Sequence, residues 1–367
     1  MTAAAQLAPA LAWLVLTPWW VAVPLTLAGW GFTSFRVRRL LGDPRRPRWV
    51  VRFIDEPMFL GWGAGLLALP LLLAGALVLC AGSLAGCTPG VSAGLAASAA
   101  PAVLGAFGGG LLLAGWGLWG RRRRVRVREV EVPIRDLHPD LEGYRIAQLS
   151  DLHVGSYDDR DRGLEWASLA NTLEPDLVVV TGDLVTSGTA YYRDVAEVLG
   201  KLRAKDGVFV VLGNHDQWDA EALERALRER GLRVLRNEQV RISRGAGAFT
   251  LAGVDDPYSG SDDIERTLVG RPSELPTVLL AHYPDFFRHA AARGVELTLS
   301  GHTHGGQLGV PFLADRLNLA SALGHKPRGL FREGESWLYV NAGLGTTGPP
   351  LRLGVAPEVA LIRLRKS

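Results

Sequence analysis

The sequence predicts an α/β domain preceded by a helical membrane region of about three spans. Three observations predict this. Charge is partitioned: residues 1–35 carry no charged side chain, residues 36–56 carry seven Arg and three acids, and residues 57–120 again carry none. From Tyr144 onward, short apolar runs alternate with amphipathic helical patterns, which argues strands and helices in one sheet. The strands nearest the C-terminus come without helices between them, which suggests a second, more antiparallel sheet. The chain averages +3 net, 48% hydrophobic and 21% charged over 367 residues, and these averages describe neither part. A uniform soluble globule is excluded. So is a nucleic-acid binder argued from basicity, because the basic excess sits in two arginine clusters beside apolar runs. Two Cys, at 80 and 87, exclude a disulfide scaffold and a Cys-rich zinc site.

A bilayer core needs about 20 apolar helical residues. The stretch 7–32 meets this, with Pro18 and Pro24 predicting a kink. The second charge-free run holds 64 residues, too long for one span, and divides into spans at 59–81 and 99–119 with the Gly/Ser/Thr/Pro-rich stretch 82–98 between them. Of the 11 Trp, seven lie in these runs, several near span ends as interfacial anchors do. No basic residue precedes the first run, so a cleaved signal peptide is not expected. Seven Arg in 36–52 and six in 121–128 place both loops on the cytoplasmic side by the positive-inside rule. The expectation is a multi-pass protein of the inner or plasma membrane, residues 1–120, with a cytoplasmic domain over 121–367. The arginines read as solvated topology markers, and membrane lipids are their expected neighbours. The glycine-rich third span permits close helix contact.

In the soluble part, Val125–Pro133 reads as an exposed-edge strand. Further strands are expected at Arg145–Leu149, Leu177–Thr181, Val208–Leu212, Phe249–Val254, Thr277–Ala281, Leu297–Ser300, Trp337–Val340 and Val359–Leu364. Helical patterns cover about Asp161–Thr172, Tyr191–Leu202, Asp219–Arg230 and Pro284–Ala292.

The chemical signal sits at strand ends. Five strands terminate in Ser150-Asp151-Leu152-His153, Thr181-Gly182-Asp183, Leu212-Gly213-Asn214-His215-Asp216, Ala281-His282-Tyr283 and Ser300-Gly301-His302-Thr303-His304. Ligand sites in open α/β sheets form at the carboxyl ends of strands. Five of eight His therefore converge on one edge. Imidazole mixed with carboxylate and amide oxygen suits Mn, Fe or Zn, whereas Mg²⁺ and Ca²⁺ prefer oxygen alone. The ligand count exceeds one tetrahedral shell, so two divalent metal ions are the economical reading.

The order D-x-H, G-D, G-N-H-D, H, G-H-x-H resembles the calcineurin-like metallophosphoesterases over about Val125 to Arg365. The runs Leu299–Gln307 and Tyr339–Gly345 look like the bacterial membrane-associated subgroup. The resemblance implies two packed sheets flanked by helices. It also implies roles. Asp151, His153 and His304 would hold one metal, Asp183 would bridge both, and Asn214, His282 and His302 would complete the second. His215 would assist the leaving oxygen, with Asp216 orienting its imidazole or capping the helix near Asp219. Gly301, Gly305 and Gly306 would permit tight backbone near the metals. His138, His289 and His325 stand outside this set as structural, although His325 lies in the segment 311–327 that could reach substrate. Asp255 and Asp256 read as loop or capping chemistry. Arg352 and Asn341 read as packing residues or phosphate contacts.

The expected reaction is hydrolysis of a phosphodiester, phosphomonoester or pyrophosphate by metal-activated water. Some related membrane-associated members act on nucleotide-linked glycolipid precursors. Only about five residues separate Trp119 from the first strand, so a lipid-linked substrate is favoured. The alternatives are a phosphodiesterase on soluble nucleotides and a catalytically inactive regulatory membrane protein.

Overall fold

The computed structural model describes residues 6–40, 45–84 and 89–367. Cys87 lies outside the described residues, so its state does not enter the account. The chain forms two compact units, one of residues 1–41, 46–121 and 349–351, the other of residues 42–45, 122–348 and 352–367.

In the first unit, α1 (Leu7–Leu16) and α2 (Trp19–Leu40) replace the single expected span. The chain breaks at Thr17, whose backbone is extended ahead of Pro18, leaving ten residues of α1, too short to cross a bilayer. Arg36, Arg38 and Arg39 lie in the last turns of α2. A short helical segment then leads through a π-turn at Val51–Asp55 into α3 (Glu56–Leu84), and α4 (Pro89–Gly115) follows. Of the expected connection 82–98, the described residues 82–84 and 89–98 are helical, because Ala-rich sequence such as Ala96–Ala100 favours helix over loop. Two described stretches, Arg48–Gly75 and Pro101–Arg123, are long and apolar enough to cross a membrane by length and composition. Gly110 lets α4 approach α3, since a Cβ there would stand 2.5 Å from the Ala64 carbonyl oxygen. The arginines are not all solvated: Arg36 and Arg46 both pair with the fully buried Asp55. Burial of that carboxylate is tolerable only because it is paired.

The second unit carries twelve strands. β1 (Arg126–Ile134), β2 (Arg145–Leu149), β3 (Leu177–Thr181), β4 (Val208–Val211) and β5 (Arg233–Val234) lie in one sheet with β12 (Glu358–Lys366), in the order β1-β12-β2-β3-β4-β5. β6 (Glu238–Arg244), β7 (Gly247–Gly253), β8 (Thr277–Leu280), β9 (Leu297–Ser300), β10 (Gly329–Glu333) and β11 (Ser336–Val340) form the other, ordered β10-β11-β9-β8-β7-β6. β2 to β5 run parallel, as do β7, β8, β9 and β11. The expected division at the C-terminus is corrected here. β12 does not join the second sheet but enters the first, parallel to β1 and antiparallel to β2. Residues 358–362 of β12 are buried without alternation, a pattern that fits either sheet, so pattern alone could not choose.

Period-2 alternation explains the layers. Leu177 and Val179 of β3 face Leu251, Val278, Leu280 and Leu299 between the sheets. Val178 and Val180 face outward, where Trp166 of α5 (Arg160–Thr172), Val195 and Leu199 of α6 (Tyr192–Leu199), and Leu223 and Leu227 of α7 (Ala220–Arg228) cover them. On the other side, Ala252 and Leu279 pack with Leu268 of α8 (Ile264–Leu268) and with Phe286 and Ala290 of α9 (Phe286–Ala291). The result is two packed sheets flanked by helices. A short α10 (Leu319–Ala322) follows β9.

Candidate metal centre

The turns after β2, β3 and β9 bring Asp151, His153, Asp183 and His304 into one group whose donor atoms lie within 4.8 Å of one another. Asp183, His282 and His302 form a second such group, so Asp183 belongs to both. His153 Nε2 lies 3.0 Å from His304 Nε2 and 3.6 Å from Asp183 Oδ2. His282 Nε2 lies 3.3 Å from Asp183 Oδ2 and from His302 Nδ1. Asp151 Oδ1 lies 3.5 Å from His304 Nε2.

The backbone is unusual at these positions. Asp151, His153, Asp183, His302 and His304 all have φ between 46° and 68°. That left-handed region costs energy for residues with a Cβ, and such strain gathers at functional sites. Space is equally tight: a Cβ on Gly213 would meet Asp183 Oδ1 at 2.3 Å, and one on Gly301 would meet Asp151 Oδ2 at 2.3 Å.

Electrostatics favour a bound cation. Burial pushes His153 down to about 3, helped by His215, and pushes His302 down to about 3, helped by His282. Burial and the neighbouring His153 hold His304 well below its usual value. These rings are neutral at pH 7 and offer lone pairs, as metal ligation requires. Burial raises Asp151, with His282 opposing and Asp183 adding to the rise. Burial would raise Asp183 too, but His282 and the other imidazoles outweigh it and hold this carboxyl well below the usual range. The charge of Asp183 in turn lifts His282 to about 10 against the effect of burial. The same field draws a divalent cation to the same lone pairs. The donor set therefore fits divalent metal ions.

Supporting bonds fix the rings. His282 Nδ1 bonds the Thr181 carbonyl at 2.7 Å, and a carbonyl only accepts, so Nδ1 carries the proton and Nε2 faces Asp183. His215 Nδ1 bonds the Thr186 carbonyl in the same way, leaving Nε2 as its functional nitrogen. Its backbone N–H donates to Asp183 Oδ1 at 2.9 Å, and its ring stands edge-on to His153 at 4.7 Å. Asp216 does not supply the orienting bond expected of it. Its oxygens accept from the backbone N–H groups of Leu184 (2.9 Å), Val185 (3.3 Å) and Gly213 (2.9 Å). It ties the β3 turn to the β4 turn, and Asp219 is the residue that caps α7.

Asn214 sits on the same turn and accepts from the Tyr283 hydroxyl at 3.4 Å. The Tyr283 ring lies 3.8 Å from that of His302, a contact invisible in the spacing of the sequence. His138, His289 and His325 lie outside the groups. Arg352 is fully buried and donates to the carbonyls of Ala342, Gly343 and Gly345, so it packs the loop after β11. Asn341 does likewise, donating to the Gln148 carbonyl at 3.2 Å. Asp255 pairs with Arg236 and Asp256 accepts from the Tyr258 N–H, in keeping with loop and capping chemistry.

The Calcineurin-like phosphoesterase family model matches residues 144–306. A Danio rerio protein described as a transmembrane protein with metallophosphoesterase domain is 34% identical over 272 residues, covering 70% of this chain and 61% of its own. The chain thus spans about 60% of the length of that relative and of its Bos taurus counterpart. An uncharacterised metallophosphoesterase of Bacillus subtilis is 31% identical over 275 residues, covering 72% of this chain and 96% of its own. Among solved structures, a phosphopantetheinyl hydrolase from Mycobacterium tuberculosis aligns at 13% identity and a TM-score of 0.33, covering 56% of this chain and 91% of its own. Through its family match and the Bacillus subtilis relative it covers almost end to end, the chain belongs to the calcineurin-like phosphoesterase family.

Proposed function

We propose that this chain is a membrane-anchored phosphoesterase that hydrolyses a lipid-linked phosphodiester or pyrophosphate at a two-metal centre. The observation that carries the reading is the pair of donor groups sharing Asp183. Asp151, His153, Asp183 and His304 would hold one ion. Asn214, His282 and His302, with Asp183, would hold the other. Bound divalent ions supply an acidified water and a counter-charge for the phosphoryl oxygens. His215, with its Nδ1 proton committed to Thr186, presents Nε2 toward the leaving oxygen and assists its departure there. Asp216 and the glycines keep the turns close enough for the donors to meet.

The membrane reading rests on the two long apolar stretches, with α2 as a third span and the arginine-rich segments on the cytoplasmic face. Arg124 and Val125 alone separate the second apolar stretch from β1, so the domain works within a few residues' reach of the bilayer. Residues 1–120 are the anchor and 121–367 the catalytic domain in this reading. Purified protein should contain two divalent ions per chain, with Mn, Fe and Zn as the candidates. It should hydrolyse phospholipids or nucleotide-linked acyl sugars in mixed micelles. Asp183→Asn should lose metal and turnover together, by metal analysis and product assay. Efficient turnover of soluble diesters with none on the lipid panel would refute the lipid-linked substrate.

A further inference from the structure

Among the described residues of the second unit, ten large apolar side chains are exposed, and six of them lie between 310 and 323. These are Val310, Phe312, Leu313, Leu317, Leu319 and Leu323, with Phe312 fully exposed. Scattered apolar side chains on a surface need no explanation, but a concentrated patch does.

The segment is not loosely built. Val310 N–H bonds the Leu317 carbonyl at 2.8 Å, and Leu317 N–H bonds the Leu313 carbonyl at 2.8 Å. Buried Asn318 accepts from Ser321 N–H at 2.8 Å and donates to the Ala314 carbonyl at 2.8 Å. Ala314 and Ala320 turn inward. These bonds tie the backbone of the segment to itself while the large apolar side chains face out. Arg316, Lys326 and Arg328 flank them, and the one acid of the stretch, Asp315, is paired with Arg328. Apolar residues beside cations match the boundary of an anionic bilayer, where acyl chains meet phosphates.

The segment is also continuous with the metal centre. The Thr303 hydroxyl, between His302 and His304, donates to the Pro327 carbonyl. Leu319 N–H bonds the Leu308 carbonyl at 3.1 Å. We propose that residues 310–323 form a membrane-contact element that seats its apolar side chains among the acyl chains of an anionic bilayer and so presents headgroup phosphates to the metal centre. This deepens the membrane-anchored reading above and rests on it.

The test uses the full chain with Cys80→Ser and Cys87→Ser, carrying Phe312→Cys labelled with a nitrobenzoxadiazole dye. The protein is placed in nanodiscs of phosphatidylcholine and phosphatidylglycerol, with or without doxyl-labelled lipid. Dye at 312 should be quenched by the doxyl lipid, while dye at Glu335→Cys, on the exposed β10–β11 turn, should not. Phe312→Ser with Leu313→Ser should keep turnover of a soluble chromogenic diester and slow phospholipid hydrolysis by about tenfold or more. An unquenched dye at 312 in protein that still turns over the soluble diester would overturn the proposal. So would a blue shift that doxyl lipid does not quench, which marks a protein neighbour. The two readings fail separately: quenching without lipid hydrolysis sinks the substrate assignment, and lipid hydrolysis without quenching sinks the contact element.

Discussion

Asp216→Asn separates two accounts of the residue that follows His215. In the structure the carboxylate bonds three backbone N–H groups, from Leu184, Val185 and Gly213. An amide of the same shape keeps the oxygen facing Leu184 and Val185. Its NH₂ then meets the Gly213 N–H, donor against donor. One hydrogen bond to a charged acceptor, about 1.5–3 kcal/mol, is lost, and one buried N–H, about 1–3 kcal/mol, goes unsatisfied. Together these amount to about 2.5–6 kcal/mol of unfolding free energy. The two turns it ties carry Asp183 on one side and Asn214 on the other, so metal affinity should fall with stability. Urea unfolding monitored by tryptophan fluorescence reads the first effect, and calorimetric titration with Mn²⁺ the second. His215 keeps its Thr186 bond in the variant, so its share of the pH–rate profile should persist. Stability and metal affinity within error of wild type, together with a collapsed turnover number, would refute the argument and restore Asp216 as the orienting partner of the imidazole.

Other outcomes follow from single contacts. Gly213→Ala forces a Cβ to within 2.3 Å of Asp183 Oδ1 and should abolish metal uptake at near-native secondary structure, read by metal analysis and circular dichroism. Leu251→Ala, fully buried between the sheets, should cost about 3 kcal/mol in denaturant unfolding with metal content per folded chain unchanged. Asp176 is buried, which alone would raise its carboxyl. Lys205 Nζ, the Arg145 N–H and Arg244 outweigh this and hold it below the usual value. A depressed folded value contributes stability above the unfolded value, about 4, and loses it as pH falls through the folded one. Asp176→Asn should therefore destabilise the protein at pH 7, and the difference from wild type should shrink as unfolding is measured toward pH 2–3. A difference constant across that range would contradict the assignment.

The chemistry of the centre was legible because its residues come as short motifs at strand ends, and a strand end is a local event. Asp151, His153, Asp183, His282, His302 and His304 needed only their neighbours to be found. The parallel strands were legible for the same reason, since Val178 and Val180 alternate with Leu177 and Val179. What stayed hidden depends on distant partners. β12 pairs with β1 and β2 across most of the domain, and nothing within Glu358–Lys366 names them. The His215 ring is held by a main-chain carbonyl, Thr186, which carries no side-chain signature. The left-handed backbone at Asp151, His153, Asp183, His302 and His304 has no signature in the residue types, since a φ above zero is unusual for any side chain with a Cβ. The break at Thr17 was foreshadowed by Pro18, but a proline between apolar runs reads equally as a kink.

The placement of β12 sets an order of assembly. β1 leaves the ribosome soon after the apolar helices, yet its one neighbour in the sheet is β12, made last among the described strands. Until Glu358–Lys366 emerges, β1 and β2 both show bare edges, and the centre that depends on β2 lacks its closing strand. The apolar helices are complete long before this sheet can close, and a stop codon before residue 358 should yield an open, aggregation-prone sheet.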